Sequence, residues 1–309
     1  MVIYTGSGVC RSGQTALTLL PDTVFIESGP LSARLSPAWG GRMTHLAHVG
    51  IGDILVAMRD KSFEPLNWPR AGAYPLFPFH NRIYGASFVH GGVKYDLLPH
   101  PALGHDAIHG PAHRRPWRVS SQSANHAVLT LDYQPDAEWP FAFRAEQAFS
   151  LDATGLTVEL KLTNLADMPA PGGIGWHPYF LAGLDCEAQT DATLEYPLDV
   201  LNVPNGQPPT ARTSTAISAS TGYTLHFTDW SNAHIRRPDG LSLILEADPV
   251  LSHLAVHRME RYLCLEPVSM AAGVLGAPEE DRIGLGLRTL APGETLSGHI
   301  RLRIEPGAV

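Results

Sequence analysis

The chain is short of cysteine. Cys10, Cys186 and Cys264 are its only three in 309 residues, an odd number, far apart. They form no disulfide framework and no zinc spacing, so a reducing, cytoplasmic setting is expected. Basic runs are also missing. Net charge is −8 with 17% charged residues, so nucleic acid and anionic membrane surfaces are not expected partners. No apolar run reaches the ~20 residues of a membrane-spanning helix. The N-terminus lacks the charged segment and apolar core of a signal peptide.

Several catalytic motifs are absent too. There is no P-loop and no G-x-S-x-G elbow. Gly6-Ser7-Gly8 starts like a dinucleotide loop, but Arg11 stands where the third glycine is required. No amphipathic helix of convincing length is present.

What the sequence has is strands and turns. The 26 prolines and 29 glycines punctuate short apolar runs at 24–27, 31–35, 43–49 and 54–57. Leu156, Val158, Leu160 and Leu162 alternate with Thr157, Glu159, Lys161 and Thr163. Ile300, Leu302 and Ile304 alternate with Arg301, Arg303 and Glu305, and Ala127, Leu129 and Leu131 follow the same period. This is the signature of antiparallel sheets with one face buried. Without a long linker or a repeat, the expectation is all-β: one antiparallel β-sandwich domain over residues 1–309, its core at about 23–305. Proline-rich breaks at 66–80, 99–116 and 202–210 read as loops. The first two are loaded with His, Arg and aromatics, and loops on a rigid scaffold are where sites usually lie. The third reads as a plain surface excursion.

Four segments carry candidate chemistry. In PGGIGWHPYF, Gly175 and Pro178 argue against a helix and the aromatics favour a strand or strand end. His177 there can exchange a proton near neutrality, or is a core histidine satisfied by a carbonyl. In YLCLEPVSM, Glu266 reads as the end of a buried strand. Desolvation would raise its pKa and make it a stronger base when ionised. The plain alternative is a Glu paired with an arginine. In YPLFPFHNRI, Arg82 offers a planar fork of donors to hydroxyl or carboxylate oxygens, or makes a surface ion pair.

The fourth segment is LGHDAIHGPAHRRPW. His105, His109 and His113, four apart, would line one helix face and suit zinc, but Gly110 and Pro111 interrupt such a helix. The competing reading is that only His109 reaches a site. No second carboxylate is marked out by its setting as Glu266 is, which weakens a glycosidase reading. One base, one acid and a cationic donor suit the ring opening of a hemiacetal, which moves two protons and needs no metal or redox cofactor.

These segments, in this order, resemble the aldose 1-epimerases, or galactose-mutarotase-like proteins. The resemblance runs from about Ile26 to Ile304 and includes IESGPLSARLSPAWGGRMTHL, YPLFPFHNRI, IHGPAHRRPW, GWHPYF, CLEPVS and LAPGETLSGHIRLRI. It implies a large antiparallel β-sandwich with an open sugar-binding face. It implies His177 as the acid on the ring oxygen and Glu266 as the base on the anomeric hydroxyl. His109 and Arg82 would orient the sugar, with Asn81 beside them. Trp176 either stacks on a sugar face or is core. The expected ligand is a monosaccharide, without metal or cofactor, bound by a monomer or homodimer.

One departure stands out. Many relatives carry a sugar-binding aspartate shortly before a phenylalanine. Here the stretch runs from Thr224 to Trp230 through Phe227, with Asp229 the nearest carboxylate. That leaves two alternatives: a sugar-binding module without turnover, and a hexose-6-phosphate 1-epimerase drawing on Arg114, Arg115, Arg236 and Arg237.

Overall fold

The computed structural model describes residues 23–60 and 62–307. Gly6, Gly8, Cys10 and the N-terminal segment read for a signal peptide lie outside the described residues. Strand accounts for 47% of the structure, and none of its helices is longer than 7 residues. No helix among the described residues is long and apolar enough to cross a membrane.

The strands form two large antiparallel sheets of eleven and eight strands, with three small two-stranded ribbons. The eight-stranded sheet contains the period-two strands. In Gly155–Asn164 and Thr295–Glu305, Leu156 faces Leu302 and Val158 faces Ile300 across the register. Their apolar side chains turn inward, while Thr157, Glu159 and Arg301 stay partly exposed. Burying such a stripe is worth roughly 25 cal/mol per Å² of apolar surface, and it pins the register, since a one-residue slip would turn every leucine outward.

The eleven-stranded sheet behaves differently at its centre. Ala73–Leu76, Gly175–Phe180 and Leu263–Val268 lie side by side, and every residue in them is buried. Trp176, Phe180, Leu263 and Leu265 face the core between the sheets. Tyr74, Leu76, Tyr179, Cys264 and Val268 form a second apolar cluster with Tyr262 on the other face. Both faces are covered, so the usual apolar–polar alternation is lost.

Prolines lie inside these strands. Pro75 stands opposite Trp176, Pro178 opposite Ala73, and Pro267 opposite Leu254. Proline lacks the ladder donor and is normally confined to edges or bulges. Packing on both faces overrides that preference here.

Several expectations change. The 66–80 break is not all loop, because it contains the central strand Ala73–Leu76. The 99–116 break contributes Ala107–Ile108, paired with Arg82–Ile83. In the 202–210 stretch Val203 is buried and the Asn202 carbonyl accepts a bond from His226 Nε2 at 3.1 Å, so it is not a plain excursion. The run at 54–57 is an isolated bridge from Leu55 to Phe180. Glu266 lies within its strand rather than at the end, because the strand continues through Pro267 to Val268.

Trp176 is fully buried in the main core, on the face opposite His177. It is core and cannot stack on a ligand. Trp176→Phe should lower stability by on the order of 1–3 kcal/mol in denaturant unfolding while leaving the KM for sugar unchanged. A raised KM with unaltered stability would contradict this assignment.

Candidate active site

Register creates the site. Gly175 pairs with Val268 and Tyr179 with Cys264, which sets His177 opposite Glu266. His177 Nε2 and Glu266 Oε1 are 3.2 Å apart. The row continues on both sides, with Tyr74 opposite His177, Ala255 opposite Glu266, and His226 opposite Ala255. Five adjacent strands thus present Tyr74, His177, Glu266, Ala255 and His226 on one face.

The pair is nearly dry, with both side chains about 5% exposed (6% and 5%). Burial alone pushes the Glu266 carboxyl up to about 8. Burial, then the neighbouring His109, holds the His177 imidazole well below its ordinary value. The two groups therefore rest near neutral pH as a carboxylic acid and a neutral imidazole, sharing one proton across the contact.

His177 is clamped from its sides. Its ring stacks on Tyr74 at 4.5 Å and on Tyr179 at 4.7 Å between centroids. The Arg42 guanidinium stands 4.6 Å from the Tyr74 ring and donates to the carbonyls of Ala71 and Pro69. Trp68 Nε1 donates to the Tyr74 hydroxyl at 3.0 Å. A histidine so flanked loses most of its rotamer freedom before any ligand arrives.

The loops supply the next groups. Asn81 and His109 both take the left-handed conformation, at φ 56° and 59°. The Asn81 carbonyl accepts from the His109 backbone N–H, and the Asn81 N–H donates to His109 Nδ1, each at 3.1 Å. That second bond assigns the tautomer: Nδ1 accepts, so the proton is on Nε2. Burial first, then the proximity of His80, Arg114, His100 and Arg82, holds His109 well below its ordinary value and so neutral. Its ring lies edge-on to His177 at 5.5 Å. Gly110 must be glycine, because a Cβ there would meet the Phe77 carbonyl oxygen at 2.0 Å. Arg82 is partly buried, one arm of its fork bonded to Asp106 at 3.0 Å.

More histidines share this side of the sheet. His80 is held by the Met270 carbonyl at 2.8 Å and His253 by the Tyr196 hydroxyl at 3.1 Å. Burial lowers His80 to about 4, and His226 and His253 to about 3. They stay uncharged at neutral pH. Neutral imidazoles both donate and accept, which suits hydroxyl groups.

The His105, His109, His113 zinc reading is overturned. His105 is exposed, and the segment is a short strand and a single 3-10 turn, not a helix. The one His/Cys/Asp/Glu grouping with metal-ligand spacing among the described residues is His177, Cys264 and Glu266. Asp229 does not join the row. It sits past the strand Thr224–Thr228, exposed, accepting from the Thr193 hydroxyl. His226, directly before Phe227, faces the site instead.

The four arginines do not make a phosphate cradle either. Arg114 and Arg115 are tied to Glu138 and Asp136, and Arg237 to Asp239. Arg236 lines a cavity of about 410 Å³ with Cys186, His234 and Arg258. That cavity shares no residue with the row. Sequence reasoning missed Arg42, Tyr74, Tyr179, Cys264 and His226, since only the register shows which face each takes.

The profile of the aldose 1-epimerase family matches residues 29–303, and the chain belongs to this family. It is 29% identical over 271 residues to the uncharacterized protein YphB of Escherichia coli K12, covering 76% of this chain and 84% of YphB. A crystal structure of a candidate aldose 1-epimerase from Escherichia coli K12 superposes with a TM-score of 0.78 at 26% identity, over 92% of this chain and 98% of that one. A galactose mutarotase-like protein from Clostridium acetobutylicum superposes with a TM-score of 0.81 at 22% identity, over 92% and 95% of the two chains. The latter likeness is one of fold. Family and fold together support a mutarotase-like sugar epimerase.

The His109 geometry can be tested by substitution. Asparagine tolerates a positive φ and can accept from the Asn81 N–H, whereas valine does neither. His109→Val should be less stable than His109→Asn by roughly 1–2 kcal/mol in thermal unfolding. Equal stability would contradict the assigned backbone and tautomer.

Proposed function

We propose that the chain is an aldose 1-epimerase that interconverts the α and β anomers of a free, uncharged aldose, with Glu266 as base and His177 as acid. The observation that carries this reading is their direct 3.2 Å contact on a buried sheet face. The two oxygens on an anomeric carbon are roughly 2.3 Å apart, and each can make a hydrogen bond of about 2.7 Å. Anomeric hydroxyl, ring oxygen, His177 Nε2 and Glu266 Oε1 then close into one circuit.

The proton count balances around that circuit. When the shared proton is on His177, Glu266 is ionised. Glu266 removes the proton from the anomeric hydroxyl as His177 protonates the ring oxygen. The bond from C1 to the ring oxygen breaks, and C1 becomes an aldehyde. The pair is left as carboxylic acid and neutral imidazole, its other tautomer. The aldehyde turns about the C1–C2 bond. Closure on the opposite face runs both transfers backwards and returns the proton to His177. No net proton enters or leaves.

His109, through Nε2–H, and Arg82 are assigned to orient the sugar and polarise the ring oxygen. Asn81 holds His109. The neutral histidines favour an uncharged sugar over a phosphorylated one, and Arg114, Arg115 and Arg237 are each tied to a carboxylate.

Polarimetry of freshly dissolved α-D-glucose and α-D-galactose tests the reaction. Wild type should hasten the decay of rotation. Glu266→Gln should lose on the order of 10²–10⁴-fold while still binding the same sugars in calorimetry. Full activity in Glu266→Gln would overturn the mechanism. Binding by wild type without any acceleration would make the protein a sugar-binding module instead.

A further inference from the structure

We propose that the same face also binds a borderline-soft divalent cation of the zinc class, held by His177, Cys264 and Glu266, and that this cation excludes the sugar. The three ligand atoms all lie within 4.8 Å of one another. Cys264 and Glu266 are two apart on one strand, so they share a face, and His177 faces them from the next strand. A tetrahedral zinc with bonds of about 2.0–2.3 Å sets its ligand atoms roughly 3.3–3.7 Å apart. The His177–Glu266 separation of 3.2 Å lies just under that spacing, and the Cys264 sulfur lies within 4.8 Å of both.

The donor set selects the metal. Imidazole, thiolate and carboxylate suit zinc, whereas magnesium and calcium prefer oxygen alone. Three protein ligands leave the fourth position open, as in catalytic zinc sites. Ligand protons leave as the cation binds. Cys264 has no part in the proton transfers proposed for the sugar, yet it lies on the site face beside the base. A cation there engages both proton-transfer groups, so it would block turnover and compete with sugar. The cation site stands on geometry alone, and only the inhibition rests on the epimerase reading.

The test uses the full chain in three measurements. Calorimetry with zinc chloride, without sugar, should show one ion per chain and no binding of magnesium. Cobalt(II) should give a thiolate-to-cobalt charge-transfer band in wild type that is missing in Cys264→Ser. Polarimetry should show zinc inhibition that is competitive with sugar and reversed by EDTA. In Cys264→Ser the zinc affinity should fall by at least about tenfold. Unchanged zinc affinity in Cys264→Ser, or no charge-transfer band in wild type, would overturn the site. Zinc binding through Cys264 without inhibition would overturn the exclusion of sugar. If wild type shows no mutarotation, calorimetry and cobalt still decide the cation site, so the two readings fail separately.

Discussion

A carboxyl and an imidazole 3.2 Å apart, nearly shielded from bulk water, set the terms for the rest of the site. In water the carboxyl would lose its proton and the imidazole would take it up well before neutrality. Burial reverses that order, with Glu266 up to about 8 and His177 well below its usual range. One proton is then held on the pair, resting on Glu266 with His177 in direct contact. Such a pair can give and take in a single event, which hemiacetal opening requires. The arrangement bears on stability as well. The folded state holds the Glu266 proton more tightly than the unfolded chain does. That favours folding fully below pH 4.5 and is lost as pH rises toward 8.

The fold keeps the pair dry and aligned by making its large sheet two-faced. The inner face packs Trp176, Phe180 and Leu265 against the eight-stranded sheet. The outer face would otherwise be wet, but the segments around Trp68, Asn81 and His109 cover it with rings and backbone. Tyr74 and Tyr179 hold the His177 ring, and Arg42 supports Tyr74. Around this rigid centre lie neutral histidines, each tied at one nitrogen or stacked on a neighbour. The 15 histidines of the chain thus gain a partial account: imidazole stripped of charge by burial is a compact hydroxyl-binding group.

Much of this could be read from residues in order. His177 and Glu266 stood out because each sat in an apolar strand where a titratable group needs a reason. The β-sandwich followed from the period-two runs at Leu156 to Leu162 and Ile300 to Ile304. What could not be read was pairing. The strand bearing His177 meets the one bearing Glu266 across a long stretch of chain, and nothing local encodes that register. Tyr74 was hidden because Pro75 made its strand look like a loop. Trp176 and His177 are neighbours in sequence but face opposite sides, so the role of Trp176 waited on the sheet. His226 was passed over for the same reason, with attention on Asp229, which the turn after Thr228 carries away from the row.

The most direct test of the shared proton is the pH dependence of kcat/KM for the wild-type enzyme, after subtraction of the uncatalysed rate. Activity needs one proton on the pair. It should therefore hold a plateau through neutrality, fall as pH rises above about 8 when Glu266 releases that proton, and fall on the acid side only well below the ordinary histidine value. A kcat/KM that climbs through pH 8 would mean the fully deprotonated pair is the active form, and would contradict the account.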